Sequence, residues 1–162
     1  REGGEGRIER GMGVKGARYI GSEVWVFDGE RWKPKEKGER RRIRSYRDLD
    51  VYNLAYTLAM RVFRVTAGFP KVERYALTDQ VRRSSSSVCS NIVEGFAKRR
   101  YTKVFKNALN DRLGESEETK MWLDFALDCE YITTEEHREL TAGYKQASAM
   151  LWTLMTNWKD FS

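Results

Sequence analysis

Six side chains between Leu77 and Phe96 constrain this chain more than any other feature. Leu77, Val81, Ser85, Val88, Ile92 and Phe96 recur at intervals of four, four, three, four and four, a single stripe on a helix of 3.6 residues per turn. Pro70 cannot continue a helix and ends what precedes it. Thr78 is expected to cap the new helix, with Asp79 at the positive end of its dipole. Ser84 to Ser87 place small side chains mid-helix, where a neighbour can come close. Lys98, Arg99 and Arg100 close it with positive charge at the negative end of the dipole.

Three further stripes have the same period. From Arg47 to Ala67, Val51, Leu54, Ala55, Leu58, Val62 and Val65 share one side, with Phe63 beside them, until Gly68-Phe69-Pro70 stops the run. From Thr102, the expected cap, to about Cys129, the stripe is Phe105, Leu109, Leu113, Ser116, Leu123 and Leu127, flanked by Val104, Ala108, Trp122 and Ala126. Gly114 interrupts this helix at a cost of about 1 kcal/mol against Ala, which close helix packing would explain. Thr133 or Thr134 caps the last helix, in which Leu140, Tyr144, Ala147, Leu151, Leu154 and Trp158 keep a heptad. Short connections make consecutive helices antiparallel neighbours. The expected fold is all-α, an antiparallel up-down-up-down four-helix bundle over residues 46–162.

Residues 1–45 differ in kind. They are rich in Gly and charge, and residues 34–45 read as a basic linker containing Arg40, Arg41, Arg42 and Arg44. Between 18 and 33, Val24-Trp25-Val26-Phe27 followed by Asp28-Gly29 suits a short β-hairpin, which alone would be marginal in water. The chain opens on Arg1, so the start is read as a fragment, a processed form or an uncertain frame, with Met12 a candidate start. No apolar run has the length of a membrane span, and the first twenty residues lack the apolar centre of a signal peptide. The expected location is the cytoplasm. Cys89 and Cys129 fall among apolar helix residues and are expected to be buried and unpaired.

The formal net charge is +6, and residues 1–47 carry all of it, with fourteen Lys/Arg against eight Asp/Glu. Signs also separate within the remainder. Residues 61–106 hold eleven basic and three acidic side chains, and residues 107–162 hold five and eleven. Such polarity serves either a polyanion or an acidic neighbour in an oligomer.

Enzymatic arrangements are missing from the pattern. His137 is the sole histidine, expected to be exposed in a Glu-rich first turn. There is no phosphate-binding Gly loop, zinc spacing or Glu-x-x-His pair, so neither catalysis nor a cofactor is expected. Asn91 and Glu94 could read a base or ribose, although satisfying loop ends and neighbouring helices is the favoured role. The run Ser84 to Ser87 is read as packing before phosphate binding. The functional candidates are basic: Arg82 and Arg83, then Lys98, Arg99, Arg100, Lys103 and Lys106 around one turn, with Tyr101 as a stacking surface and Arg41 and Arg42 on a flexible arm. Cations interleaved with an aromatic suit nucleic-acid binding by charge and shape.

Phe69-Pro70, Glu73, Leu77-Thr78, Gln80, Arg82-Arg83, Ser86, Asn91-Ile92 and Glu94-Gly95 resemble the signature of the small four-helix-bundle family of 23S rRNA intervening-sequence proteins, related to the accessory proteins of diversity-generating retroelements. The resemblance runs from about Tyr46 to about Trp158. Gly114 and Glu118 also fit its pattern, whereas Asn110, Asp111 and Glu115 depart from it. The resemblance implies a homo-oligomer, a ring of five with basic residues around a central opening. Trp122, Trp152, Trp158, Met121, Met150 and Met155 exceed what one seam needs and supply a second apolar face. The expected function is a non-catalytic accessory protein associated with RNA or another nucleic acid. Its rivals are a structural assembly module, or an adaptor for a protein partner such as a reverse transcriptase.

Overall fold

The computed structural model describes residues 43–158, together with the backbone of residues 17–20, 23–27 and 32–34. Each apolar stripe becomes the inward face of a helix: α1 (Asp50–Thr66), α2 (Leu77–Ala97), α3 (Thr102–Asp128) and α4 (Thr134–Thr156). All six stripe positions of α2, and all six from Leu140 to Trp158, are buried. Val65, Leu113 and Leu127 are half-buried at the margin of the core, while Phe63 and Val104 face outward.

Side-chain contacts set the helix directions. Arg82, early in α2, meets Thr66 at the end of α1. Ser84 meets Thr119, and the end of α2 at Gly95 meets Phe105 and Leu109 at the start of α3. Ser116 reaches Tyr144 and Ser148, while Asp124 reaches His137. Arg61 and Leu58 face Glu139 and Gly143. Each helix therefore runs against its sequence neighbours, and α4 returns beside α1.

The hydroxyls where α3 meets α2 and α4 are paired locally. Thr119 donates to the Glu115 carbonyl and lies 3.0 Å from Ser84 Oγ. Ser116 donates to the Tyr144 carbonyl and accepts from Ser148 at 2.9 Å. A buried hydroxyl costs little when so bonded, and small polar side chains let the helices approach closely.

The helix starts differ from expectation in instructive ways. Tyr46–Asp48 forms a 3-10 turn capped by Ser45, with the Asp48 carboxylate bonded back to the Ser45 N–H at 2.9 Å. α1 begins only after Leu49. Thr78 does not cap α2, because the helix starts one residue earlier and buries it. Instead a 3-10 turn at Lys71–Glu73 brings Glu73 Oε2 to the Leu77 N–H at 3.4 Å. Thr102 is the first residue of α3 and not its cap. Thr133 does cap α4, in a reciprocal pair with Glu136. Cys129 follows the last turn of α3 and is exposed, contrary to its apolar neighbourhood in sequence, and Cys89 is only partly covered. A Cβ on Gly114 would meet nothing within 4 Å, so close packing does not explain that glycine. Close packing acts at Gly143, where a Cβ would overlap the Leu58 side chain.

Upstream, the described residues form three short strands, β1 (Ala17–Ile20), β2 (Glu23–Phe27) and β3 (Trp32–Pro34). They are antiparallel in the order β1-β2-β3, with Ala17 opposite Val26 and Phe27 opposite Trp32. Where the sequence suggested one hairpin, there is also a strand on the far edge of β2. β1 runs beside α1. Residues 28–31, and residues 35–42 with Arg40, Arg41 and Arg42, lie outside the described residues.

Two glycine substitutions should move stability in opposite directions. Gly114→Ala removes a helix penalty in open space and should raise stability by about 0.5–1 kcal/mol. Gly143→Ala must displace Leu58 and should lower it by about 1–3 kcal/mol, less whatever helix propensity returns. Urea melts of the two variants check both signs.

Burial also governs acid–base behaviour. Loss of solvent pushes the Cys89 thiol up from 9.0 to about 12, and it raises the Tyr52 and Tyr144 hydroxyls as well. These groups stay protonated in the fold but ionise earlier when unfolded. Stability should therefore be intact below pH 9 and decline as pH rises toward 12. In native protein near pH 8, a thiol reagent should modify Cys129 quickly and Cys89 only after unfolding.

Candidate nucleic-acid interface

The turn between α2 and α3 is built on an aromatic base. Phe96, Phe105 and Trp158 are buried beneath it. The Phe105 and Trp158 ring centroids are 4.3 Å apart, and Phe96 meets Trp158 edge-on at 6.5 Å. Gly95 sits against α3, where a Cβ would lie in ordinary contact, 3.4 Å from Leu109 Cδ2. Backbone bonds then fix the turn. The Arg99 N–H donates to the Phe96 carbonyl, the Tyr101 N–H to Lys98 at 2.9 Å, and the Phe105 N–H to Tyr101 at 2.9 Å.

The cations on this scaffold fall into two groups. Lys98 pairs with Glu94 one turn back. Arg99 lies 4.1 Å over the Phe96 ring and donates to the Phe96 carbonyl at 3.0 Å, so its guanidinium also fastens the end of α2. Arg100, Lys103 and Lys106 are exposed, and no hydrogen bond or ion pair holds them among the described residues. Tyr101 between them is 72% exposed.

Electrostatics at this corner is one-sided. Lys98 and Arg99 stabilise the negative end of α2. At the other side of the turn, α3 begins with no acidic residue in its first turn and no side-chain cap. Lys103 and Lys106 sit at its positive end, where a cation is unfavourable by a few tenths of a kcal/mol or more. The corner thus concentrates positive charge that the described residues do not neutralise.

Arg82 and Arg83 belong elsewhere. They precede Lys98 by four turns, roughly 24 Å along the helix axis. Arg82 donates to Thr66 Oγ1 at 2.7 Å and to the Phe63 carbonyl at 3.3 Å, with its guanidinium 3.9 Å over the Phe63 ring. It closes the C-terminus of α1. Arg83 spans Gln80 and Glu118 on α3. Arg41 and Arg42 lie outside the described residues. The serine run is structural, with Ser84 and Ser85 buried and Ser86 bonded to its own helix. Asn91 donates to Ser87 at 2.9 Å.

His137 is not freely exposed: its Nε2 lies 2.7 Å from Asp124 Oδ1, linking the ends of α3 and α4. Glu73 also accepts from the Tyr131 hydroxyl at 3.1 Å, which ties the α1–α2 connection to the α3–α4 connection. No group of three His, Cys, Asp or Glu among the described residues is placed to hold a metal ion. Sequence reasoning missed Val104, which is 45% exposed beside the cations. The available signal was its place between Lys103 and Lys106 in the first turn of α3.

An apolar groove of about 370 Å³ opens at the opposite end of the bundle, lined by Ala76, Leu77, Trp122, Phe125 and Cys129 with Glu73 and Gln80. Trp152, Met121 and Phe125 are exposed, whereas Met155 and Trp158 are buried in the core, so only part of the expected second apolar face reaches the surface.

Four packed antiparallel helices with a basic turn define the class as a four-helix bundle. The chain belongs to the 23S rRNA-intervening sequence protein family, whose pattern it matches over residues 47–153. A crystal structure of a protein of unknown function from the S23 ribosomal protein family of Bacteroides thetaiotaomicron is similar at a TM-score of 0.59 and 24% identity, covering 65% of this chain and 95% of that one. That likeness concerns the fold. No curated protein matches the chain. No helix among the described residues is long and apolar enough to cross a membrane.

Replacing Arg82 should cost stability, because it removes charge-assisted bonds and uncovers Thr66. Arg82→Ala should lose about 1.5–3 kcal/mol, whereas Arg100→Ala should stay within about 0.5 kcal/mol. Urea denaturation of the pair separates the structural arginine from the surface one.

Proposed function

We propose that this chain is a non-catalytic, homo-oligomeric accessory protein that associates with RNA or another nucleic acid through charge and shape. The observation that carries the reading is the α2–α3 corner. Arg100, Lys103 and Lys106 stand exposed at a helix start that lacks an acidic residue and a side-chain cap. A polyanion supplies the missing charge and releases counterions on binding. The family's name points to the same class of partner. A ring of five, implied by the family resemblance, would bring several such corners together. Location in the cytoplasm accords with this role.

A second reading is an assembly or adaptor module for a protein partner. The observation favouring it is the open apolar groove beside Trp122 and Phe125, a surface of the kind that proteins cover.

Binding of a labelled single-stranded RNA, titrated across salt, tests the first reading. Affinity should fall steeply as salt rises. Arg100→Gln, Lys103→Gln and Lys106→Gln together should reduce the slope of log affinity against log salt by about 2, from roughly 0.7 per lost phosphate contact on a single strand. Light scattering should show the oligomer unchanged. An oligomer that dissociates in the triple variant would transfer these residues to the assembly reading. No binding by the intact protein below roughly 100 μM at low salt, weaker than ordinary non-specific affinity, would remove the nucleic-acid reading.

A further inference from the structure

Tyr101 and Val104 are both exposed at the basic α2–α3 corner. An exposed aromatic beside cations that have no internal partner is the combination that single-strand binding uses. Tyr101 is 72% exposed and has no ring, hydrogen-bond or ionic partner among the described residues. Its backbone is nonetheless fixed on both sides, through Lys98 and Phe105, above the packed Phe96, Phe105 and Trp158 rings. The ring is therefore presented from a rigid turn. Val104, at 45% exposure, is in the first turn of α3, three positions after Tyr101. Lys103 and Lys106 are neighbours at a spacing of three, roughly 5–6 Å apart at Cβ, and Arg100 precedes the ring.

We propose that this corner takes a single strand in preference to a duplex, with an unpaired base stacked on Tyr101 and against Val104. The adjoining phosphates lie on Arg100, Lys103 and Lys106. The inference rests on the nucleic-acid reading above and narrows it. In a duplex the base faces are already stacked on one another, so a protruding ring finds only phosphate and groove edges. In a single strand each base offers a free face, and stacking on an aromatic is tolerant of sequence. The corner accordingly selects strandedness and not a particular base.

The test uses the full chain and four probes: a dye-labelled oligoadenylate, an abasic strand of the same length, the duplex of the oligoadenylate with its complement, and inorganic polyphosphate as a charge-only competitor. Oligoadenylate should bind about tenfold more tightly than the abasic strand or the duplex. Tyr101→Leu should erase that advantage without changing abasic binding, and Tyr101→Phe should retain it. Circular dichroism confirms that both variants remain helical. Equal binding of strand, duplex and abasic probe, or an unchanged oligoadenylate affinity in Tyr101→Leu, overturns the single-strand proposal and leaves polyanion binding intact. Failure of every probe to bind overturns both.

Discussion

The bundle depends on how closely α3 crosses α2. α2 is built for this, with Ser84 buried against Thr119 and Gly95 set against Phe105, Ala108 and Leu109. Larger side chains there would hold α3 away from the core. The approach brings a second requirement, because a hydroxyl sealed into a helix interface must be bonded. Thr119 meets it from α3 by standing 3.0 Å from Ser84, while also bonding its own helix. The aromatic base under the α2–α3 turn forms because the helices are already close at Gly95. The position of the basic corner is thus a result of packing at buried residues that carry no charge.

Several residues that mark the family turn out to serve architecture. Phe69 packs on Tyr131, Glu73 joins two connections, Arg82 closes α1, and Gly95 permits helix contact. Their shared task is to hold the ends of the bundle. The residues left without an internal task, Arg100, Tyr101, Lys103 and Lys106, lie just outside that signature. A signature of this kind specifies the fold and says little about the surface. This is why membership of the 23S rRNA-intervening sequence protein family says more about the shape of this chain than about its ligand.

Much of the fold was legible in the sequence because burial repeats with the helix period. The α2 and α4 stripes needed no correction, since every position on them is interior. Helix starts were harder to read. Thr78 has the right chemistry for a cap, yet the competing acceptor came from Glu73, in a separate turn whose geometry no local pattern reveals. Gly114 and Gly143 look alike in sequence, and only the neighbouring helix distinguishes them. His137 and Cys129 were misjudged for a related reason. Exposure at the end of a helix depends on the facing element, here Asp124 for the histidine and open solvent for the cysteine. Of the candidate site, the cluster from Lys98 to Lys106 was visible as a run of charge. That Arg82 and Arg99 were engaged by carbonyls and rings was not, because a guanidinium that caps a helix reads the same as one that awaits a phosphate.

The placement of Trp158 has a consequence for the order in which this surface comes into being. The ring lies beyond α4, yet it packs under the turn that joins α2 to α3. A nascent chain that has released its first three helices carries all the positive charges of the corner without the support that aligns them. The corner matures only once residues through Trp158 are free to fold. A product that stops before Trp158 would keep the charge but lose the rigid seat.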